Sequence, residues 1–153
     1  MKQSTRQAIV RLWAAPATLL GLVLSFPALA LGARARLVDG VVEIAGGRLG
    51  RLAAGRRSRF GAITFGHVIL GVDHATLARL RAHEQVHVRQ YERWGALFFP
   101  LYIGSSAVQW LRGRDPYRDN RFEREAFARI GADAGAPASS AAVSNSGKPI
   151  TPE

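Results

Sequence analysis

The chain has no cysteine. That absence excludes disulfides and any thiolate-ligated metal site, and it leaves the redox compartment open. Acidic residues are also scarce: 11 Asp+Glu stand against 21 Lys+Arg, giving a net charge of +10. A balance of that sign suits anionic partners such as phospholipid head groups, nucleic acid or acidic peptides. A nucleic-acid surface calls for aromatic side chains interleaved with the cations. The glycine- and arginine-rich stretch 46–61 offers only Phe60, so no specific nucleic-acid partner is expected. Nearly all the cations are arginine, a bias that a GC-rich genome also produces. Histidine occurs at four positions only, 67, 74, 83 and 87, so an imidazole metal site has little to draw on. With 153 residues there is chain for one domain with appendages, not for a two-lobed protease.

What is present is His83-Glu84-Gln85-Val86-His87, the pattern H-E-x-x-H. On a helix, residues i and i+4 leave from one face, so the two imidazoles can grip one metal ion. The glutamate between them points at the water that such an ion activates, where a carboxylate acts as general base. Three fixed positions in five arise by chance in on the order of one chain in two hundred of this length, so the context has to decide. A helix is predicted to start after Asp73, a good N-cap, and to run to about Trp94, just before Gly95. At 100° per residue Leu77, Leu80, Glu84, His87, Tyr91 and Trp94 share one face, with His83 at its edge. Arg79, Arg81, Gln85, Arg89, Glu92 and Arg93 take the opposite one. The motif therefore lies on the face that the apolar residues bury, where His and Glu need partners.

Catalytic zinc sites usually have three protein ligands and an open position. No histidine follows within Val88–Arg93, which excludes a metzincin. The remaining route is a downstream carboxylate, and Asn120-Arg121-Phe122-Glu123-Arg124-Glu125-Ala126-Phe127 supplies two at the start of a short predicted helix. Here the chain resembles the gluzincin branch of the zincin metallopeptidases, whose third ligand is a glutamate on a second helix, often within E-x-x-A followed by aspartate. Glu123-Arg124-Glu125-Ala126 matches E-x-x-A, and the resemblance puts Glu123 in the ligand place. Glu125, about 200° around the helix, is the rival; only one of the two is expected to face the H-E-x-x-H helix. Phe127 stands where many gluzincins have the aspartate that supports a metal-binding histidine, so that support is missing. Both glutamates also suit an ordinary solvated helix start. The resemblance covers roughly residues 60–130 and is nearest to small bacterial H-E-x-x-H proteins, the minimal gluzincins. It implies an α+β, zincin-like core: a short β-sheet, the H-E-x-x-H helix, and a second helix with the glutamate ligand. It further implies Zn2+ held by His83, His87 and Glu123, Glu84 as catalytic base, and a peptide or protein substrate.

The rest of the chain divides into an N-terminal apolar segment (1–33), the metal-binding domain (34–131) and a tail read as disordered (132–153). Residues 12–33 carry no charge over 22 positions, long enough for a helix to cross a bilayer. A signal peptide with Ala28-Leu29-Ala30 as cleavage site, and an interfacial or buried hairpin, are the competing readings. A single-pass anchor in a bacterial inner membrane is expected, in contact with membrane lipid; its orientation stays open. Residues 34–45 alternate around Asp39-Gly40 and read as a β-hairpin with a type I′ turn. Residues 46–61 read as an exposed basic loop suited to anionic lipid. Residues 62–70 read as one strand beside the helix, an edge to which a substrate backbone adds. His67 in that strand is expected to be structural and His74 to be on the surface. The second apolar run, 96–111, must not cross a membrane: its crossing would put Glu123 on the far side of a hydrocarbon core of ~30 Å from the histidines. It is expected to be buried or to dip into the interface. Tyr117 is a candidate to stabilise an oxyanion.

Two further readings stay open. One is a metal-binding, non-catalytic membrane protein that binds a partner. The other is a basic membrane-surface or nucleic-acid-binding protein in which H-E-x-x-H is accidental.

Overall fold

The computed structural model describes residues 2–55 and 61–135. It is an α+β fold in which the longest helix of the domain is held between a small sheet and a layer of other helices. The first helix, α1 (Lys2–Ala30), contains both Pro16 and Pro27. A hairpin follows, β1 (Ala33–Val38) and β2 (Val41–Gly46). Asp39 and Gly40 both have positive φ, 51° and 78°, the signature of the I′ turn that Asp-Gly favours.

The stretch after the hairpin corrects the loop expectation. Residues Gly47–Gly55 form a helix, α2. Gly50 packs so closely on Val72 that an added Cβ would lie 2.2 Å from its carbonyl oxygen. The glycine that looks like a loop marker is there for a close approach between helix and backbone. Of the basic residues assigned to that loop, Arg48 and Arg51 lie on α2, and Arg56, Arg57 and Arg59 fall outside the described residues.

The expected single strand 62–70 is two strands, β3 (Ala62–Phe65) and β4 (Val68–Gly71). Gly66, at φ 58°, turns the chain between them, a conformation open to glycine. The sheet runs β1-β2-β4-β3, with β2 and β4 parallel and the outer pairs antiparallel. β3 is therefore an edge.

Helix α3 (His74–Trp94) has the predicted limits. Asp73 Oδ1 accepts the Thr76 backbone N–H at 2.7 Å, and Gly95 closes the C-terminus. Leu77 and Val88 pack on Val41, Ala45 and Ile69 of the sheet. Tyr91 packs on the other side with Ala14, Ala17, Phe98 and Phe122. Val86, Val88 and Gln90 are buried as well, so more than one stripe is covered. Arg81 is not on a free face: its Nε and Nη2 donate at 2.7 and 3.0 Å to Glu43, which is buried in mid-strand β2. That two-point pairing satisfies a buried carboxylate.

A short 3-10 turn (Gly95–Leu97) leads into α4 (Phe98–Leu111), and a loop leads to α5 (Arg121–Gly135). Of the two expectations for this run, burial in the protein is not what forms: α4 buries only Phe98 and leaves Phe99, Leu101, Ile103, Val108 and Trp110 exposed. α5 runs past residue 131, so the segment read as a tail begins in helix; residues 136–153 lie outside the described ones.

Candidate metal centre

The centre is made where α3 meets α5. α5 starts at a fixed point because Asn120, fully buried, caps it: its Oδ1 accepts the Phe122 N–H at 2.9 Å. The Asn120 side-chain amide donates to the Tyr102 carbonyl and to Ser106 Oγ, tying α5 to α4. Phe122 then enters the core. Glu123 and Ala126, three apart and so on one face of α5, are both buried.

This brings together the three residues that the sequence singled out. Glu123 Oε2 lies 3.0 Å from His83 Nε2, and Glu123 Oε1 lies 3.3 Å from His87 Nε2. The two Nε2 atoms are 3.1 Å apart. All three side chains are buried, and one donor atom of each falls within 4.8 Å of the others. Tyr102 on α4 donates to Glu123 Oε1 at 2.6 Å. Oε2, although close to His83, is not aligned for a hydrogen bond and has no other partner. A buried carboxylate oxygen without a donor, facing two imidazole nitrogens, is the arrangement a cation satisfies. The donor set of two imidazoles and one carboxylate fits zinc by type.

Burial opposes ionisation of Glu123, but its close contacts with His83 and His87 and the hydrogen bond from Tyr102 outweigh it and hold the carboxyl well below the usual range. Burial likewise opposes charge on His87, yet contact with Glu123 raises it above its ordinary value. Burial first, and then the Glu123 carboxylate, push both Tyr102 and Tyr117 upward, so each keeps its proton.

Glu84, between the histidines, is buried and accepts a 2.6 Å hydrogen bond from Thr64 Oγ1 on β3. The edge strand thus orients the candidate base. Glu125 is not among the clustered residues. Both glutamates nevertheless reach α3, against the expectation that only one can: Glu125 accepts from Gln90 Nε2 at 3.1 Å. The same Nε2 donates to the Phe122 carbonyl, and Gln90 Oε1 lies 2.9 Å from His87 Nδ1. With two acceptors on its nitrogen, Gln90 presents oxygen to His87 and so holds a proton on Nδ1, with Nε2 the atom turned toward His83 and Glu123.

Gln90 is the residue that sequence reasoning missed. It sits one turn beyond His87, a spacing visible in the sequence, and it holds that histidine from α3 itself. Phe127 instead lays its ring against His83, 4.9 Å between centroids. Tyr102, also missed, looks in sequence like one more apolar residue of the run.

The remaining assignments sort simply. Tyr117 lines the cleft that leads to the cluster. His67 lies at the β3–β4 turn, paired with Glu92 at 3.1 Å, away from the site. His74 is half-buried, not on the surface, and both of its ring nitrogens are covered without a partner. The cleft measures about 940 Å³; one wall is β3, another is α4 through Phe98, Phe99 and Ile103, and the cluster forms the floor.

Comparison with protein-family models, with curated proteins and with solved structures finds no match.

Proposed function

We propose that the protein is a membrane-anchored zinc-dependent hydrolase of the zincin type, gluzincin branch, acting on peptide or protein chains. The observation that carries this reading is the convergence of His83, His87 and Glu123 at the floor of a cleft, with Glu84 beside them. These three residues would hold the ion. Bound there, zinc supplies a Lewis acid and lowers the pKa of water. Glu84, held by Thr64, takes a proton from the attacking water and passes it to the leaving nitrogen as the C–N bond breaks. The Tyr117 hydroxyl, which keeps its proton and lines the cleft, would donate to the oxygen that gains charge, while Tyr102 stays on Glu123. The outer edge of β3 offers backbone donors and acceptors to an extended chain.

Among the described residues one helix stretch, Gln7–Ala30, is long and apolar enough to cross a membrane, and it is the anchor in this reading. Its packing into the core through Ala14 and Ala17 supports a retained helix over a cleaved leader. A second reading, a metal-binding protein that binds a partner and does not turn over substrate, is favoured by Phe127, whose ring covers His83 on one side.

The test is metal content by mass spectrometry of detergent-purified protein, alongside cleavage of a broad peptide library. One zinc per chain with turnover, and zinc kept but turnover abolished in Glu84→Gln, is the expected result. Hydrolysis that persists in Glu84→Gln would remove the mechanism. Zinc without any cleavage supports the second reading, and no zinc in the wild type overturns both.

A further inference from the structure

α1 has the length and hydropathy of a bilayer crossing, yet it is packed like a helix lying on a domain. Ala14, Ala17 and Ser25 are buried. Gly21 is pressed against Phe65 and Val68, with 2.8 and 2.9 Å from their Cβ atoms to an added one. Thr18 Oγ1 accepts the His67 backbone N–H, and Ala28 packs on the cluster of Ala33, Ile44 and Val68. From residue 14 to residue 28 is about 21 Å of helix axis at 1.5 Å per residue, some two-thirds of a hydrocarbon core of ~30 Å. A crossing helix would drag the sheet into lipid along that length. The open backbone of edge strand β1, with exposed Arg34 and Arg36, would go with it, and hydrocarbon does not tolerate either.

The other side of α1 is apolar and bare. Leu12, Leu19 and Phe26, seven residues apart and so on one line, are 76%, 62% and 71% exposed. α4 adds a second bare surface: no charge occurs from Gly95 to Leu111. The two surfaces adjoin, because Phe98 packs with Ala14 and Ala17, and Trp13 lies against Gly95. The last turn of α4 carries Trp110, 68% exposed, and exposed Arg112 and Arg114 follow the helix. An amphipathic ring and then cations are what sits at head-group level over anionic lipid. An apolar expanse of this extent does not face water in a monomer.

We propose that α1 and α4 lie side by side in the plane of one leaflet, so that the protein is monotopic. Phe99 and Ile103, which line the cleft, then put its rim at the lipid surface. The chain that enters is a polypeptide segment emerging from the bilayer. The in-plane placement rests on the membrane anchor proposed above and not on the metal; the polypeptide in the cleft rests on the hydrolase reading.

The absence of cysteine allows single labels on an otherwise unchanged full-length chain: Leu12→Cys, Leu19→Cys, Phe26→Cys and Ile103→Cys, with Arg89→Cys on the exposed side of α3 as control. Each carries an NBD fluorophore, in vesicles of mixed phosphatidylcholine and phosphatidylglycerol. Depth is read by spin-labelled lipids and water exposure by iodide. The expected result is one shared shallow depth for positions 12, 19, 26 and 103, with only position 89 open to iodide. A transmembrane α1 gives depths at 12 and 19 that differ by about 10 Å, from seven residues at 1.5 Å each; that overturns the in-plane placement and leaves the anchor standing. Uniform depth along α1 with position 103 open to iodide overturns the lipid-facing cleft. Labels that are all open to iodide overturn this proposal and the anchor together. Zinc content and turnover play no part in the readout.

Discussion

The α3–α5 interface and the α1–α4 flank are opposites. The first buries two histidines, three polar or acidic side chains (Glu84, Gln90, Glu123) and very little else that can ionise. The second exposes leucine, phenylalanine and tryptophan. In a water-soluble domain the assignments would be exchanged, because burying polar groups costs free energy and burying apolar ones returns it. Each inversion is locally stabilised by a different device. At the interface nearly every buried polar atom has a partner, down to Gln90, whose amide serves His87, Phe122 and Glu125 at once. On the flank there is no such network to satisfy, and the surroundings must supply the match.

The largest change is expected on the polar side. Glu123→Ala removes the one carboxylate in the cluster and should abolish stoichiometric zinc, whereas Glu125→Ala should keep it. Metal analysis of the two variants separates them, and loss in Glu125→Ala alone would move the ligand by two residues.

Next is Gln90→Leu. It takes away the acceptor that holds His87 in the Nδ1–H form, and supports of this kind are worth about 10–100-fold in metal affinity. Competition with a zinc chelator measures it; an unchanged affinity would mean that Gln90 only joins helices.

Acid gives a contrast of sign within the same site. Without metal, the contribution of raised His87 is complete below its unfolded value of 6.5 and is lost as pH rises through the folded one. That of depressed Glu123 is present above 4.5 and lost as pH falls through its folded value. The pair is therefore strongest in mild acid. Zinc requires neutral imidazole, so its stabilisation grows in the other direction. Melting curves with chelator and with zinc should diverge as pH rises from 5 to 8, and parallel curves would exclude the imidazoles as ligands.

On the apolar side, Gly21→Leu forces bulk against Phe65 and Val68. Overpacking of this kind costs about 1–3 kcal/mol, and it should free α1 from the domain while zinc content stays near normal. Limited proteolysis between α1 and β1 reads the release. Zinc lost in step with α1 would show that the two regions are one unit.

Asp73→Ala is the mildest, about 1 kcal/mol from a lost cap, seen as a small fall in melting temperature.

The parts of this arrangement that were legible in the sequence are those with a local code. Asp73 and Gly95 bound α3, Asp39-Gly40 turns the first hairpin, and H-E-x-x-H with E-x-x-A names the residues that the fold brings together. What was not legible depends on partners remote in sequence. Gly50 reads as loop until Val72 is seen against it. Gly66 splits an apparent strand because Thr18, 48 positions earlier, occupies the space beside it. The burial of a polar Gln90 follows from α5, and the exposure of α4 follows from nothing in its own composition, since an apolar helix reads the same whether protein or lipid covers it. The row Ala14, Ala17, Thr18, Gly21, Ser25, Ala28 was in plain view, but it acquires meaning only when the sheet is laid along it.

The 36-residue separation from His87 to Glu123 also sets an order of events during synthesis. A ribosome delivers α3 first, with two imidazoles and without the Glu123 carboxylate. α4 must then emerge and turn before Asn120 can seat and swing Glu123 into place. A nascent chain thus carries an incomplete, weakly chelating half-site for the time needed to translate a quarter of the protein. A site that needs all three ligands is complete only once α5 closes on α3, and not while the histidines alone are leaving the exit tunnel.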